Sequence, residues 1–304
     1  MHSDSLSFRP VRAADKSRII AFTFNTWGDN EDDYIKDVFD DWLADRCGEF
    51  TAAVIDGEVV GIAKLTDLGD DEWWFEGLRI DPAYRRRGIA SAFNRYHVAL
   101  AQRLGGRVIR YMTGSKNVGS QAIGAQAGFE HILTYTAYVA EASHELVVPA
   151  LLTLDDLPAA LRWIDSPLMH YLRGVYHAAW SAKTLTEAEL RQAIESRRVY
   201  GMKDKTGQPT AWALLRARDD EDTEDGDQKR LRVDHFDGEL SAITELARRM
   251  RGLAAAEKRT MVSAGICDYP PLVQALRAAG YKVNPDKFSL WVLELKLTTD
   301  ETAL

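Results

Sequence analysis

Residues 73–92, WWFEGLRIDPAYRRRGIASA, constrain the fold more than any other stretch of the chain. Trp73, Trp74, Phe75, Leu78 and Ile80 make an apolar, aromatic run that predicts a buried strand. Asp81-Pro82 ends it, because proline has no N–H to donate and turns the residue before it away from helix. Arg85, Arg86 and Arg87 follow, then Gly88, and a helical pattern opens at Ile89, Ala90 and Ser91. A helix entered through such a turn presents unpaired backbone N–H groups at the positive end of its dipole, an anion site suited to a diphosphate. The arginines add charge that fits phosphate oxygens, and Gly88 and Ala90 let a ligand approach the backbone closely. A glycine motif this short also arises by chance, and a basic triplet on a turn is commonly only solvated charge.

The order of the elements narrows the choice. Strand, Asp-Pro, Arg-x-x-Gly-x-Ala, amphipathic helix, second strand, and then Asn117 and Gly128-Phe129 resemble the GNAT superfamily of acetyl-CoA-dependent N-acyltransferases, over residues 6–139. The family's Arg/Gln-x-x-Gly-x-Gly/Ala pattern is carried by Arg85, Gly88 and Ala90. The resemblance implies an α/β fold with a mixed, mostly antiparallel sheet flanked by helices, in which two neighbouring strands part beside the anion turn. It implies acetyl-CoA as co-substrate, without a metal. The pantetheine arm would lie along main-chain groups of Leu78, Arg79 and Ile80, and the diphosphate would lie on Arg85, Arg86, Arg87, Gly88, Ile89, Ala90 and Ser91. Asn117 stands where the family commonly contacts the cofactor, although asparagine is also an ordinary helix N-cap. Transfer is expected to be direct, within a ternary complex. One departure concerns the proton for the departing thiolate: the tyrosine that frequently supplies it would fall at Gly124. Tyr111, Tyr135, Tyr138 or water are the available substitutes.

Amide formation from a thioester needs an uncharged amine, a polarised carbonyl and a proton donor for the thiolate. Glu76 is the candidate general base, since its aromatic neighbours raise a carboxylate's pKa toward the range useful for deprotonating an ammonium. The bland alternative is an ion pair with Arg79 or Arg110, and Glu72 is the second candidate. The histidines, including His97, His170 and His177, read as packed or surface residues rather than metal ligands. The tryptophans read as core rather than as a cage.

The 304 residues suffice for two domains of ordinary size. The net charge is −8, and residues 1–140 carry 16 basic and 20 acidic side chains against 22 and 26 in the remainder. Each half is therefore acidic by the same amount, which argues against a nucleic-acid partner and is compatible with an amine. Cys47 and Cys267 cannot build a disulfide framework or a metal site. Free thiols fit a reducing compartment, and neither a signal peptide nor a membrane-length apolar run is present, so a cytoplasmic protein is expected, as a monomer or homodimer.

Along the chain, strands are expected at 6–11, 50–55, 58–65, 108–113 and 132–139, with an Asp56-Gly57 hairpin. Helices are expected at 13–27, 31–46, 89–104 and 117–126. The acidic face running from position 29 to 45 reads as solvated, with a rim for an amine cleft as the sharper alternative. The pattern then restarts: a strand at 145–152, a helix opened by Asp155 and Asp156, a hairpin at 199–216, and echoes of 78–80 at 231–233, of 110–113 at 261–264 and of 127–129 at 279–281. Five elements in the same order indicate two copies of one fold, with domains at 1–140 and 145–304. Where the first copy has its basic turn, the second has His235, Phe236, Asp237, Gly238 and Glu239. Asp234, Asp237 and Glu239 are expected to repel a diphosphate, so the second copy is expected not to bind CoA. The acidic run 219–227 is expected to be a disordered hairpin loop. Together these features favour an N-acetyltransferase acting on a small amine or amino acid. A protein or peptide acceptor, or an inactive acyl-CoA-binding sensor or scaffold, are the alternatives.

Overall fold

The computed structural model of the chain describes residues 6–24, 26, 33–178, 180–217 and 230–297. The acidic run 219–227, the end of the expected first helix and the start of the second lie outside the described residues.

The chain divides into two compact units, one of residues 1–113, 117–132 and 293–304, the other of 114–116 and 133–292. In the first unit the elements are β1 (Ser7–Pro10), α1 (Lys16–Thr23), α2 (Ile35–Ala44), β2 (Glu49–Ile55), β3 (Glu58–Asp67), β4 (Glu72–Ile80), α3 (Ile89–Arg103), β5 (Val108–Gly114) and α4 (Val118–Gln126). The second contains most of β6 (Glu130–Glu141), then β7 (Ala150–Leu151), α5 (Leu157–Leu161), α6 (Pro167–Tyr171), β8 (Val175–Ala178), β9 (Ser181–Thr184), α7 (Glu187–Glu195), β10 (Val199–Lys203), β11 (Pro209–Leu215), β12 (Arg230–Gly238), α8 (Leu240–Ala256), β13 (Met261–Cys267), α9 (Pro270–Ala278) and β14 (Lys282–Val283). The last strand, β15 (Leu290–Lys296), passes into the first unit from Leu293 onward. The units are thus discontinuous in sequence.

Both units repeat one pairing scheme. In the first, β1-β2-β3-β4 pair antiparallel in order and β4-β5 pair parallel. In the second, β7-β10-β11-β12 pair antiparallel and β12-β13 parallel. Asp56 and Gly57 both take positive φ, 51° and 85°, as a two-residue hairpin between Ile55 and Glu58 requires. The core under α1 and α2 gathers Val11, Ile19, Phe22, Ile35, Phe39, Phe50 and Ile62. The strand expected at 145–152 shrinks to Ala150–Leu151; Val147 and Val148 are exposed, and Pro149 has no N–H for a ladder.

The repeat is offset differently from its sequence echoes. β5 and β13 begin 153 residues apart and α4 and α9 begin 152 apart, but β4 and β12 begin 158 apart. By their parallel pairing, Leu231-Arg232-Val233 therefore match Trp73-Trp74-Phe75 and not Leu78-Arg79-Ile80. The discrepancy arises at one place: residues 81–88 separate β4 from α3, whereas only Glu239 separates β12 from α8. The second unit lacks the basic turn altogether. Asp234 and Asp237 are not turn residues facing a ligand but buried strand residues. Arg216 donates to Asp234 at 3.0 and 3.1 Å, and the Ser166 hydroxyl donates to Asp237 at 2.9 Å.

At the base of the first unit's sheet, Arg110 donates to Glu72 at 2.8 Å and to Glu294 of β15 at 2.7 Å. All three side chains are buried. Removing one partner of a buried ion cluster strands the remaining charge. Arg110→Met is accordingly expected to cost about 3–5 kcal/mol of unfolding free energy, measured by urea denaturation.

Candidate functional site

β4 and β5 pair only at Glu72↔Val108, Trp73↔Ile109 and Trp74↔Arg110. Beyond that point β4 runs on to Ile80 and β5 to Gly114 without pairing. The sheet therefore forks, and the backbone from Phe75 to Ile80 has one edge that β5 does not use. A bulge accompanies the fork: Glu76 pairs with Lys64 and Arg79 with Ile62, so Gly77 and Leu78 together oppose Ala63. Gly77 has φ +66°, and a Cβ there would overlap the Trp42 ring. Only glycine meets both demands.

The turn at the open end of the fork is built locally. The Asp81 carboxylate accepts from Ala83 N at 2.8 Å and pairs with Arg18. Tyr84 donates to Glu58 at 3.1 Å, and Arg87 stacks over the Tyr84 ring at 4.9 Å. Arg86 and Gly88 take positive φ, 61° and 77°, a geometry in which successive peptide N–H groups converge into an anion-binding concavity. Gly88 is the N-cap of α3, and the N–H groups of Ile89, Ala90 and Ser91 occupy its first turn, where a helix supplies no acceptors. A Cβ built on Gly88 meets no atom within 4 Å, so the corner is open. Arg85, Arg86 and Arg87 are exposed, but Arg85 turns back to donate to the Ile80 carbonyl at 3.3 Å. Arg79 likewise faces inward: its guanidinium is buried on Asp33 and packs over the Tyr34 ring at 5.3 Å.

Glu76 pairs with neither Arg79 nor Arg110. The Thr66 hydroxyl donates to it at 2.6 Å, and Lys64 sits opposite it across the strand pair. Burial pushes the Glu76 carboxyl above its ordinary value, against the opposing pull of the Thr66 bond and the Lys64 charge. Lys64 is itself buried, held by Asp45 and the Leu65 carbonyl. Glu72, the second candidate base, is committed to Arg107 and Arg110 at 2.7 and 2.8 Å. Near Glu76 lie Tyr34, whose hydroxyl burial pushes up to about 12, and Trp42, with ring centroids 6.1 Å apart. Asp33, Tyr34, Thr66 and Lys64 were not singled out by the sequence; a β-hairpin register drawn through the turn at 68–71 would have placed Thr66 and Lys64 beside β4. Of the acidic face, Asp33 and Asp45 are used in internal pairs, while Asp37, Asp40 and Asp41 are exposed.

Asn117 is the N-cap of α4, its side chain accepting from Ser120 N at 3.1 Å. Gly124 has a steric reason: a Cβ there would overlap the Tyr111 hydroxyl, which donates to the Ser120 carbonyl at 3.0 Å. Burial pushes Tyr111 up to about 12. Tyr135 and Tyr138 belong to the second unit. His97 is buried on Thr51 at 2.8 Å and lowered to about 3 by burial and the Lys64 charge, which makes it a neutral packing residue. His170 is exposed beside Asp165, and His177 is buried. Both cysteines are free. Among the described residues no helix is long and apolar enough to cross a membrane, and no group of three or more His, Cys, Asp or Glu could hold a metal ion.

Residues 16–129 match the model of the Acetyltransferase (GNAT) family. No curated protein matches the sequence. Among solved structures, the chain is similar to a tandem GNAT protein from the clavulanic acid biosynthesis pathway, with 16% identity over 97% of this chain and 99% of that one and a TM-score of 0.57. It is similar to a GCN5-related N-acetyltransferase from Sphaerobacter thermophilus, with 14% identity, 96% of both chains covered and a TM-score of 0.60. A fungal GCN5-related glucosamine N-acetyltransferase region gives 10% identity and a TM-score of 0.68, over 97% of this chain and 38% of the multi-domain one. Residues 16–129 thus form a domain of the GNAT family, and the fold of the chain is that of two GNAT-like domains in tandem. That fold is one of acyl-CoA-dependent acetyl transfer.

The hydrogen bond from Thr66 favours the charged form of Glu76, so its loss favours the neutral form. In Thr66→Val the Glu76 carboxyl is expected to titrate at higher pH than in the wild type, followed by carbon-13 NMR of labelled glutamate.

Proposed function

We propose that the first unit is an N-acetyltransferase that moves an acetyl group from acetyl-CoA directly to the amine of a small molecule or amino acid. The observation that carries this reading is the fork between β4 and β5 opening onto an unobstructed Gly88 corner. The diphosphate would rest on the amides of Gly88, Ile89, Ala90 and Ser91, with Arg86 and Arg87 adding charge, and the pantetheine arm would take the edge of Leu78, Arg79 and Ile80 that β5 leaves unused. An N–H on that edge would polarise the thioester carbonyl. Glu76 would take the proton that frees the amine; nitrogen attack on the carbonyl carbon then forms the amide as the C–S bond breaks. The thiolate needs a proton, and Tyr111 is the first-unit tyrosine at the α4 position that Gly124 leaves vacant. Asn117 caps α4 and would contact the donor only through that helix end. Amine acceptance is supported by the likeness to two N-acetyltransferase structures.

The second unit would not bind CoA, because the eight residues between β4 and α3 have no counterpart between β12 and α8. Two experiments separate donor binding from chemistry. Gly88→Asp places a carboxylate where the diphosphate would sit, in a position with room for it and a φ that aspartate tolerates; it is expected to abolish acetyl-CoA binding in calorimetry, and unchanged affinity would remove the site. The rate of CoA release with a pooled amine substrate is expected to rise with pH through the elevated titration of Glu76. Glu76→Gln should lower the rate and remove that limb, and a wild-type profile in the variant would exclude Glu76 as the base.

A further inference from the structure

The diphosphate corner of the first unit has little packing to hold it. From Pro82 to Gly88 every residue except Tyr84 is exposed. Arg86 and Gly88 nevertheless sit in the left-handed region, and a non-glycine residue keeps such a conformation only where its surroundings impose it. A chain of polar contacts reaches this turn from α1.

Asp81, buried at the end of β4, is fixed by its backbone N–H on the Val60 carbonyl at 2.9 Å. It accepts twice from the turn: Oδ1 takes the Ala83 N–H and the carbonyl takes the Tyr84 N–H, each at 2.8 Å. Its Oδ2 pairs with Arg18, 63 positions earlier on α1. The same Arg18 nitrogen lies 2.9 Å from Oε1 of Glu58, at the start of β3. The other Glu58 oxygen accepts the Tyr84 hydroxyl at 3.1 Å, and Arg87 stacks on the Tyr84 ring. Arg18 therefore stands at the head of two routes into one turn, through Asp81 to Ala83 and through Glu58 to Tyr84 and Arg87.

The Arg18 guanidinium lies 5.4 Å from the Phe22 ring, one turn further along α1. Its buried Nε has no hydrogen-bond partner among the described residues, while one terminal nitrogen serves both carboxylates. A buried donor without a partner costs stability, so stability alone does not account for this placement. Charge follows the same pattern. Asp81 and Glu58 stand beside the turn, and uncompensated they would repel a diphosphate and compete for the arginines. With Arg18 between them, Arg86 and Arg87 enter no ion pair among the described residues.

We propose that Arg18 is a positioning residue for donor binding: by clamping Asp81 and Glu58 together it holds residues 82–88 in their anion-accepting form and keeps two carboxylates off the phosphates. A loop ordered in advance binds more tightly, because the ordering cost falls outside the binding step. The proposal rests on the acetyl-transfer reading for the identity of the anion; the clamp itself does not.

Amide hydrogen exchange and calorimetry on the full-length protein test the two separately. In Arg18→Met, exchange at Ala83 and Tyr84 is expected to quicken at least about threefold, with the amides of β2 and β3 unchanged. Acetyl-CoA is expected to bind at least about tenfold more weakly, the size of one lost charge-assisted bond. In a CoA-release assay the KM for acetyl-CoA should rise by the same factor while kcat at saturating donor stays, because the turn holds the donor and not the reacting atoms. Arg18→Lys keeps the charge without the planar fork and should fall between wild type and Arg18→Met. Tyr84→Phe removes only the hydroxyl on Glu58, at a half-exposed position, and is expected to weaken acetyl-CoA binding about twofold to fourfold. If Arg18→Met does not fold, Tyr84→Phe alone decides. Failure of the wild-type protein to bind acetyl-CoA would remove the acetyl-transfer reading and leave the exchange result to judge the clamp. Unchanged exchange at Ala83 and Tyr84 in Arg18→Met, or wild-type acetyl-CoA affinity in both Arg18→Met and Tyr84→Phe, would overturn the proposal.

Discussion

The structure of the first unit depends on where two parallel strands stop pairing. Hydrogen bonds join β4 to β5 for three residue pairs and then cease. Immediately beside that point stands Arg110, which holds Glu72 on β4 and Glu294 on β15 in one buried cluster. A buried ion cluster is weak evidence of net stability, because desolvation offsets much of its attraction. Its directional bonds do fix geometry, and here they tie three strands together at the closed end of the fork. Past that point the sheet has freedom to open. Trp42 against Gly77 and the Phe75–Tyr111–Phe129 ring contacts, at 6.1 and 5.1 Å, then set how the arms lie. The unpaired β4 edge, the bulge and the approach to Gly88 all follow from this one termination.

The second unit shows what the same scaffold becomes without its turn. Its strands repeat the pairing order, including the single parallel pair, yet β12 passes almost directly into α8. Residues that a sequence comparison sets against the basic turn are strand residues, with Asp237 fully buried on Ser166. What the second unit lacks beside α8 is the length of backbone that the turn provides, not only its positive charge. Fold and function separate here in a simple way: the ladder is preserved, and the loop that would grip a diphosphate is gone.

Much of the first unit was legible because its signals are local. The apolar run of β4, the Asp-Pro stop, the Asp56-Gly57 hairpin and the glycine at the start of α3 each declare themselves within a few residues. What escaped were facts of register and of distance along the chain. A bulge cannot be read from Glu76-Gly77-Leu78 alone, because it depends on which residues of β3 stand opposite. The expected role of Arg79 lies in its main chain, and that its side chain is buried on Asp33, a partner 46 positions away, is not legible in the neighbouring residues. Glu72 and Glu76 are both carboxylates on the same strand, and only their neighbours distinguish an ion-paired residue from one whose pKa is raised. The Gly124 departure was visible as an oddity, but its cause was not: the Tyr111 hydroxyl fills the volume that any side chain there would need. Echoes in the sequence revealed the duplication and misplaced one strand, because Leu-Arg-Ile and Leu-Arg-Val look alike but stand at different positions of their strands.

The division of strands also bears on how the protein is made. Glu294, one of two carboxylates on Arg110, lies 184 positions downstream of it. At a ribosomal rate of about 5–20 residues per second, roughly ten to forty seconds separate the emergence of the two. During that interval the amino-terminal unit is a nascent domain with an unfinished edge, obliged to wait for a strand synthesised after its entire companion. Vectorial synthesis therefore reverses the apparent order of the tandem: the unit translated second holds all its own strands first, and the one translated first is completed last.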